Sequence, residues 1–300
     1  IASGPWLLAA GCIFFMASGA LAAPSAIQPV VDACANPANA LVAENCLPGT
    51  TEWITQNPIG DIFGYASSDS VNVGGEIDFL VDTGSPTFNM KIYRLGYYGG
   101  TGGRLIEETN AVPGQRQPEC REDYARGLIS CSNWSQAYTL TVPPDWVSGA
   151  YIARIIRPDT GGDNYILFVV RDDDRDAAIL YQQSVSTFHA YNNFGGKSVY
   201  TSSSGFCLTV AEAPRAVAVS YNRPYNQTMG DPNSFFRAEL PMVFWLEQQG
   251  YDVVYSTTSD THRSGVTGAK NELLDHSIFL SVGHDEYWTT EMRNAITAAR

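Results

Sequence analysis

Three hundred residues suffice for two ordinary domains, and 44% hydrophobic with 12% aromatic content supports packed cores rather than disorder or a collagen-like chain. Acidic side chains outnumber basic ones 31 to 18, for a formal charge of −13. That surplus would repel a phosphate backbone, so nucleic acid is excluded as a natural partner.

In chain order, the first signal is an apolar run over 6–17, followed by Ala20-Leu21-Ala22. An apolar core ending in a small-x-small site reads as a cleaved secretory signal over 1–22, although a basic n-region is missing. A retained N-terminal anchor is the alternative, and Cys12 loosely resembles a lipoprotein site. No other stretch is long and apolar enough to span a membrane, so the expected location is secreted or periplasmic, with no stable span after cleavage. Export permits disulfides. The simplest pairing joins Cys34 to Cys46 and Cys120 to Cys131, leaving Cys207 alone.

Residues 23–51, rich in Ala, Pro and Asn, read as a linker. From 52 to 171 short β-branched and aromatic runs succeed one another, at 70–73, 76–81, 89–95, 137–142, 149–155 and 164–170. Gly, Pro and Asp punctuate them, so the spacing predicts an antiparallel Ig-like β-sandwich of roughly seven strands. Arg171-Asp172-Asp173-Asp174-Arg175-Asp176 lacks the spaced ligands and turn glycine of a calcium loop and reads as a solvated junction.

Beyond it, from 172 to 300, the pattern changes to apolar strands alternating with helices. Strands are expected at 177–181, 216–220, 251–255 and 276–282, and helices at 241–249 and from Thr289 onward. Alternation of this kind implies a mainly parallel α/β sheet of flavodoxin- or amidotransferase-like type. The last helix is still running at Arg300, so this second domain is expected to be incomplete.

Ligands in open α/β sheets gather beyond the carboxyl ends of the strands. The segments just past the expected strands carry His189, Tyr191 and Tyr200, then Tyr221, Arg223 and Tyr225, then Gly283-His284-Asp285-Glu286. Each has a plainer use taken alone: His189 as a packing histidine, the tyrosines as packing aromatics, Arg223 as a loop salt bridge, and 284–286 as a polar turn with a helix-capping acid. Three polar groups in a row at 284–286 are nevertheless hard to place in a core, because buried charges need partners.

Arg94-Leu95-Gly96-Tyr97-Tyr98-Gly99-Gly100, Ala190-Tyr191-Asn192-Asn193-Phe194-Gly195-Gly196-Lys197-Ser198-Val199-Tyr200, Asn222-Arg223-Pro224-Tyr225, Trp245-Leu246-Glu247-Gln248-Gln249-Gly250-Tyr251-Asp252-Val253 and Gly283-His284-Asp285-Glu286-Tyr287-Trp288 together resemble the N,N-dimethylformamidase large (beta) subunit-like family. The resemblance runs from about residue 60 to the chain end. It implies a mononuclear iron ion held by Glu286, Tyr191 and a second tyrosine, Tyr200 with Tyr225 or Tyr221 as substitutes. His284 would be the acid–base residue, with Asp285 a further catalytic group. The implied function is metal-dependent hydrolysis of an amide or related C–N bond in a small molecule. The competing expectation is a non-catalytic exported protein that binds a carbohydrate or cell-envelope component, favoured by the sandwich and the many Tyr and Trp residues. Oligomerisation is left open.

Overall fold

The computed structural model describes residues 30–58, 61–200 and 215–300. The signal expected over 1–22, with Cys12, and the lone Cys207 lie outside the described residues. Among the described residues no helix is long and apolar enough to cross a membrane.

Where a linker was expected, α1 (Val30–Ala35) and α2 (Ala40–Asn45) form short helices. The disulfide Cys34–Cys46 ties the C-terminal end of α1 to the residue that follows α2. Asn39 caps α2 by accepting from Val42 N at 2.9 Å. Leu41, 1% exposed, joins the main core, so this stretch packs onto the body instead of spacing it.

The next strands are β1 (Ile62–Ala66), β2 (Ser70–Asn72), β3 (Glu76–Thr83), β4 (Thr87–Leu95), β5 (Gly103–Pro113), β6 (Arg121–Asp123), β7 (Leu128–Ser130), β8 (Tyr138–Thr141), β9 (Gly149–Ile156) and β10 (Asp163–Arg171). They form a three-stranded sheet, β1-β3-β8, a five-stranded sheet, β2-β10-β9-β4-β5, and the hairpin β6-β7. All pairings are antiparallel except β2 with β10. Alternation explains the packing: β3 buries Ile77, Phe79, Val81 and Thr83 while the residues between them face outward. One core cluster draws Phe79 and Leu140 from the smaller sheet and Met90, Ile155 and Phe168 from the larger. The second disulfide, Cys120–Cys131, lies beside Trp134 and Tyr65. Both described disulfides match the simplest pairing.

The remaining elements are β11 (Ile179–Gln183), α3 (Val185–Tyr191), α4 (Phe235–Ala238), α5 (Leu240–Gln248), β12 (Val253–Thr257), α6 (Thr258–Ser264), β13 (Ile278–Ser281) and α7 (Thr290–Ala299). Their sheet is wholly parallel, in the order β12-β11-β13. β11 and β12 are buried at every position, as expected of strands covered on both faces. The described chain is thus a mix of mostly antiparallel sheets with helices, and no barrel.

Two expectations need correction. Residues 216–220 do not form a strand: Ala216 N and Val217 N each donate to separate loops, at Ser198 O and Arg126 O, and Val217 is 80% exposed. A segment that splits its backbone bonds between two loops has no ladder. The acidic junction at 171–176 is not simply solvated either. Arg171 reaches Asp173 and Asp260, and Arg175 pairs with Asp252, so the junction is tied to the parallel sheet by ion pairs.

Candidate functional site

Register brings the site together. β11 and β13 run side by side in parallel, with Gln182 opposite Ser281, so the segments leaving the two strands emerge at the same edge. After β11 the chain turns through Ser184 into α3, which ends at Tyr191. After β13 it turns at Gly283, whose φ of +72° favours glycine and whose Cβ would meet Ala238 O at 2.7 Å. The turn delivers His284, Asp285 and Glu286 beside α3. There the first turn of the helix grips the segment: Glu286 N donates to Thr187 Oγ1 at 2.9 Å, and Ser186 Oγ donates to Tyr287 O at 2.7 Å.

Two phenols then meet one carboxylate. Tyr191 Oη donates to Glu286 Oε2 at 3.0 Å, and Tyr200 Oη donates to Glu286 Oε1 at 2.7 Å. Their rings stack with centroids 4.2 Å apart and planes 15° from parallel. His284 Nε2 lies 2.9 Å from Glu286 Oε2 and 3.2 Å from Tyr191 Oη. Tyr287 Oη stands 2.5 Å from Tyr200 Oη. The cluster is open to solvent, with the His284 side chain 51% and the Glu286 side chain 36% exposed.

These contacts set the charge states. Burial works to raise the Glu286 carboxyl, but hydrogen bonds from Tyr200, Tyr191 and His284 outweigh it and leave the group below its ordinary value. Burial raises the Tyr191 phenol, and the Glu286 carboxylate adds to the effect. Tyr200 is raised strongly, by burial first and then by its bonds within the cluster. Among the described residues Glu286 forms an ion pair with His284 and with no Lys or Arg.

Not every expected residue joins. Asp285 turns away from the cluster: its Oδ2 accepts from Gln182 Nε2 at 2.6 Å and Ser281 Oγ at 2.7 Å, pinning the 283–286 turn to the strand ends. Tyr221 and Tyr225 sit instead against His189, with centroids 4.2 and 4.8 Å from its ring. His189 is 2% exposed, with Nε2 at 3.0 Å from Tyr225 Oη and 3.4 Å from Asp69 Oδ1, so it packs and bonds internally.

Arg223 makes no salt bridge among the described residues. It is 1% exposed, and its guanidinium donates to four backbone carbonyls, of His189, Asn192, Phe194 and Lys197. Burial pulls it down to about 10. It therefore fixes the loop that carries Tyr191 toward Tyr200. Sequence reasoning gave no part to Tyr287 or Thr187 in building the site, and it read Arg223 as a rim group or a loop salt bridge instead of a brace for backbone carbonyls. Tyr287 directly succeeds Glu286, and that adjacency was the available signal. The other two act through backbone atoms, which leave no residue pattern.

Whether the cluster suits a metal turns on donor chemistry. No group of three or more His, Cys, Asp or Glu side chains gathers for a metal among the described residues. What gathers is two phenol oxygens and a carboxylate, hard donors that suit a hard, highly charged ion such as ferric iron. A cation held here would have to displace the phenol protons, since ligands bind deprotonated. The residues present fit the ion that the family resemblance implies.

No curated protein matches this chain. Among solved structures, a family 123 glycoside hydrolase from Clostridium perfringens, studied for glycolipid glycan hydrolysis, aligns over 44% of this chain and 32% of its own. The match thus spans about a third of that enzyme, at 10% identity and a TM-score of 0.16, a likeness too slight to show a shared fold. A family model described as N,N-dimethylformamidase beta subunit-like, C-terminal, matches residues 89–300 and takes in both the parallel sheet and the phenol–carboxylate cluster. The chain belongs to the N,N-dimethylformamidase beta subunit-like family.

Proposed function

We propose that this protein is an exported, iron-dependent hydrolase of an amide or related C–N bond in a small molecule. The carrying observation is one carboxylate, Glu286, held by phenols on both of its oxygens with no lysine or arginine paired to it among the described residues. Such an arrangement holds negative charge in reserve for a cation. Tyr191, Tyr200 and Glu286 would hold the ion. When bound, it supplies Lewis acidity that polarises an amide carbonyl and acidifies water.

The chain's own groups do the rest. Hydrolysis joins a water oxygen to the acyl carbon, breaks the C–N bond and requires a proton on the departing nitrogen. His284 Nε2, exposed and within hydrogen-bond distance of both Glu286 and Tyr191, is the group that can hold and deliver it. Asp285 acts as a positioning residue, keeping the turn that presents His284 and Glu286. The two disulfides are consistent with export, and we read the two antiparallel sheets as an Ig-like sandwich preceding the α/β unit.

Iron content and the visible spectrum of purified protein, with release of dimethylamine from N,N-dimethylformamide, test the reading. About one iron per chain, a tyrosinate charge-transfer band, and loss of both in Glu286→Gln are expected. His284→Gln should keep the band and slow turnover. Iron-free protein that still hydrolyses the amide would overturn the assignment.

A further inference from the structure

A cavity of about 420 Å³ lies between the β1–β2 turn, the β12–α6 junction and the start of α7. Neither Tyr191, Tyr200, His284 nor Glu286 lines it, so it is a place apart from the proposed catalytic cluster. Its size falls within the range of small-molecule sites.

The charges in its wall are already answered. Asp69 accepts from Ser259 Oγ at 2.9 Å on one oxygen and faces His189 Nε2 at 3.4 Å on the other. Arg263 pairs with Asp260. His262 Nδ1 lies 2.9 Å from Thr289 Oγ1 and 3.7 Å from Glu291. An ionic ligand would find no unpaired countercharge among these groups, and the chain's formal charge of −13 disfavours anions further.

Neutral hydrogen-bonding capacity, by contrast, is left over. Ser67 Oγ accepts from Asp78 N, and Thr258 Oγ1 accepts from Ser186 N, so each hydroxyl still has its proton to donate. The Asn222 side chain has no partner among the described residues. Tyr221 leans on His189 and is still 38% exposed, offering an apolar ring surface to the cavity. Hydroxyl and amide donors around an aromatic surface match a ligand with polar edges and C–H faces.

We propose that this cavity binds a neutral pyranose sugar, with Tyr221 beneath a C–H face of the ring and Asn222, Ser67 and Thr258 on its hydroxyls. This assignment does not depend on the iron-hydrolase reading.

Calorimetric titration with glucose, N-acetylglucosamine and cellobiose tests it, with inorganic phosphate and cyclohexanol as controls. At least one sugar should saturate with a Kd of about 1 mM or tighter, and neither control should bind comparably. Tyr221→Ala should weaken binding about tenfold or more, Tyr221→Phe should retain it, and Asn222→Ala should weaken it about threefold. Glu286→Gln should leave sugar binding unchanged while removing iron, which separates the two readings. If Tyr221→Ala fails to fold, Asn222→Ala and Thr258→Val decide. Absence of saturation by any of the sugars at about 50 mM overturns the proposal, as does stronger binding of phosphate or cyclohexanol. So would sugar binding that ignores the Tyr221 and Asn222 changes or disappears with Glu286→Gln.

Discussion

Around Arg94 and around Glu286 the chain sets tyrosines against glutamate carboxylates, but among the described residues only the first gathering includes a permanent cation. The Arg94 guanidinium, fully buried, forks onto both oxygens of Glu247 at 2.8 and 3.0 Å. Tyr98 bridges Arg94 to Glu44 at 3.1 and 2.7 Å, and Tyr255 donates to Glu247 at 2.9 Å. Arg104 closes the set on Glu44 at 2.7 Å. Every carboxylate there has a guanidinium, and the network locks α2, β4, β5, α5 and β12 together. Among the described residues Glu286 has His284 and two phenols as side-chain partners, at the surface. The buried cluster is neutralised from within by guanidinium groups, whereas the exposed one keeps a carboxylate without a permanent countercharge among the described residues.

The largest expected effect comes from removing the charge that lacks a permanent partner. Glu286→Gln combined with Tyr191→Phe should abolish iron binding and cut amide hydrolysis by about a thousandfold or more, on the scale of losing a principal electrostatic stabiliser. Stability should move by no more than about 0.5 kcal/mol, because these groups are at the surface. Metal analysis, turnover and a urea midpoint on the same sample check both halves. A large stability loss would mean the cluster is a lock like its counterpart.

The reverse experiment is next in size. Arg94→Met leaves Glu247 buried without its cation, which should cost about 3–5 kcal/mol, whereas Arg94→Met with Glu247→Leu should recover most of that loss. Denaturant unfolding of the three proteins measures it. The close approach of Gly96, whose Cβ would meet Glu247 Oε2, leaves little room for the network to adjust.

These two clusters also sort what could be read in the sequence. The motifs 94–100 and 245–250 supply the buried network, while 190–200 and 283–288 supply the candidate site; their residue types alone did not separate them. Most of the antiparallel strands were legible because alternation is local. α3 was not: 185–191 is seven residues of mixed polarity, and the turn that opens it is held by Glu239, 55 residues on, which accepts from Ser184 N. The expected strand at 216–220 failed for the converse reason, since apolar residues there meet loops and solvent. Convergence of Tyr191 and Glu286 was foreseeable from strand ends, but the turn of Asp285 back toward the sheet depended on Gln182 in the neighbouring strand.

A third prediction tests the scaffold between the clusters. Arg223→Ala deprives four carbonyls of the 189–197 loop of their donor and should cost about 1.5–3 kcal/mol. Hydrogen exchange should rise first in that loop, and iron affinity should fall because Tyr191 and Tyr200 lose their fixed spacing. Unchanged exchange there would show that the loop is held by other contacts.

Glu239 completes the comparison as a buried carboxyl with neither a guanidinium nor solvent. Its Oε1 accepts from Ser184 N at 2.9 Å and its Oε2 from Tyr181 Oη at 3.3 Å, holding the β11–α3 turn from which Tyr191 is presented. Burial pushes it up to about 8 from an ordinary 4.5, the Ser184 bond only partly opposing this. Because the folded value is the higher one, its contribution to stability is fully present below pH 4.5 and is lost as pH rises through 8. Across that window the folded chain holds a proton that the unfolded chain has released, for a slope of up to about 1.4 kcal/mol per pH unit. Glu239→Gln keeps an acceptor for Ser184 N but cannot titrate, so the stability difference between wild type and variant should shift in the variant's favour as pH rises from 5 to 8. Urea midpoints at each pH give that difference directly. A difference that stays flat would mean Glu239 meets a countercharge after all, and the contrast between carboxylates that the protein pairs and those it leaves unpaired would then fail at its most buried example.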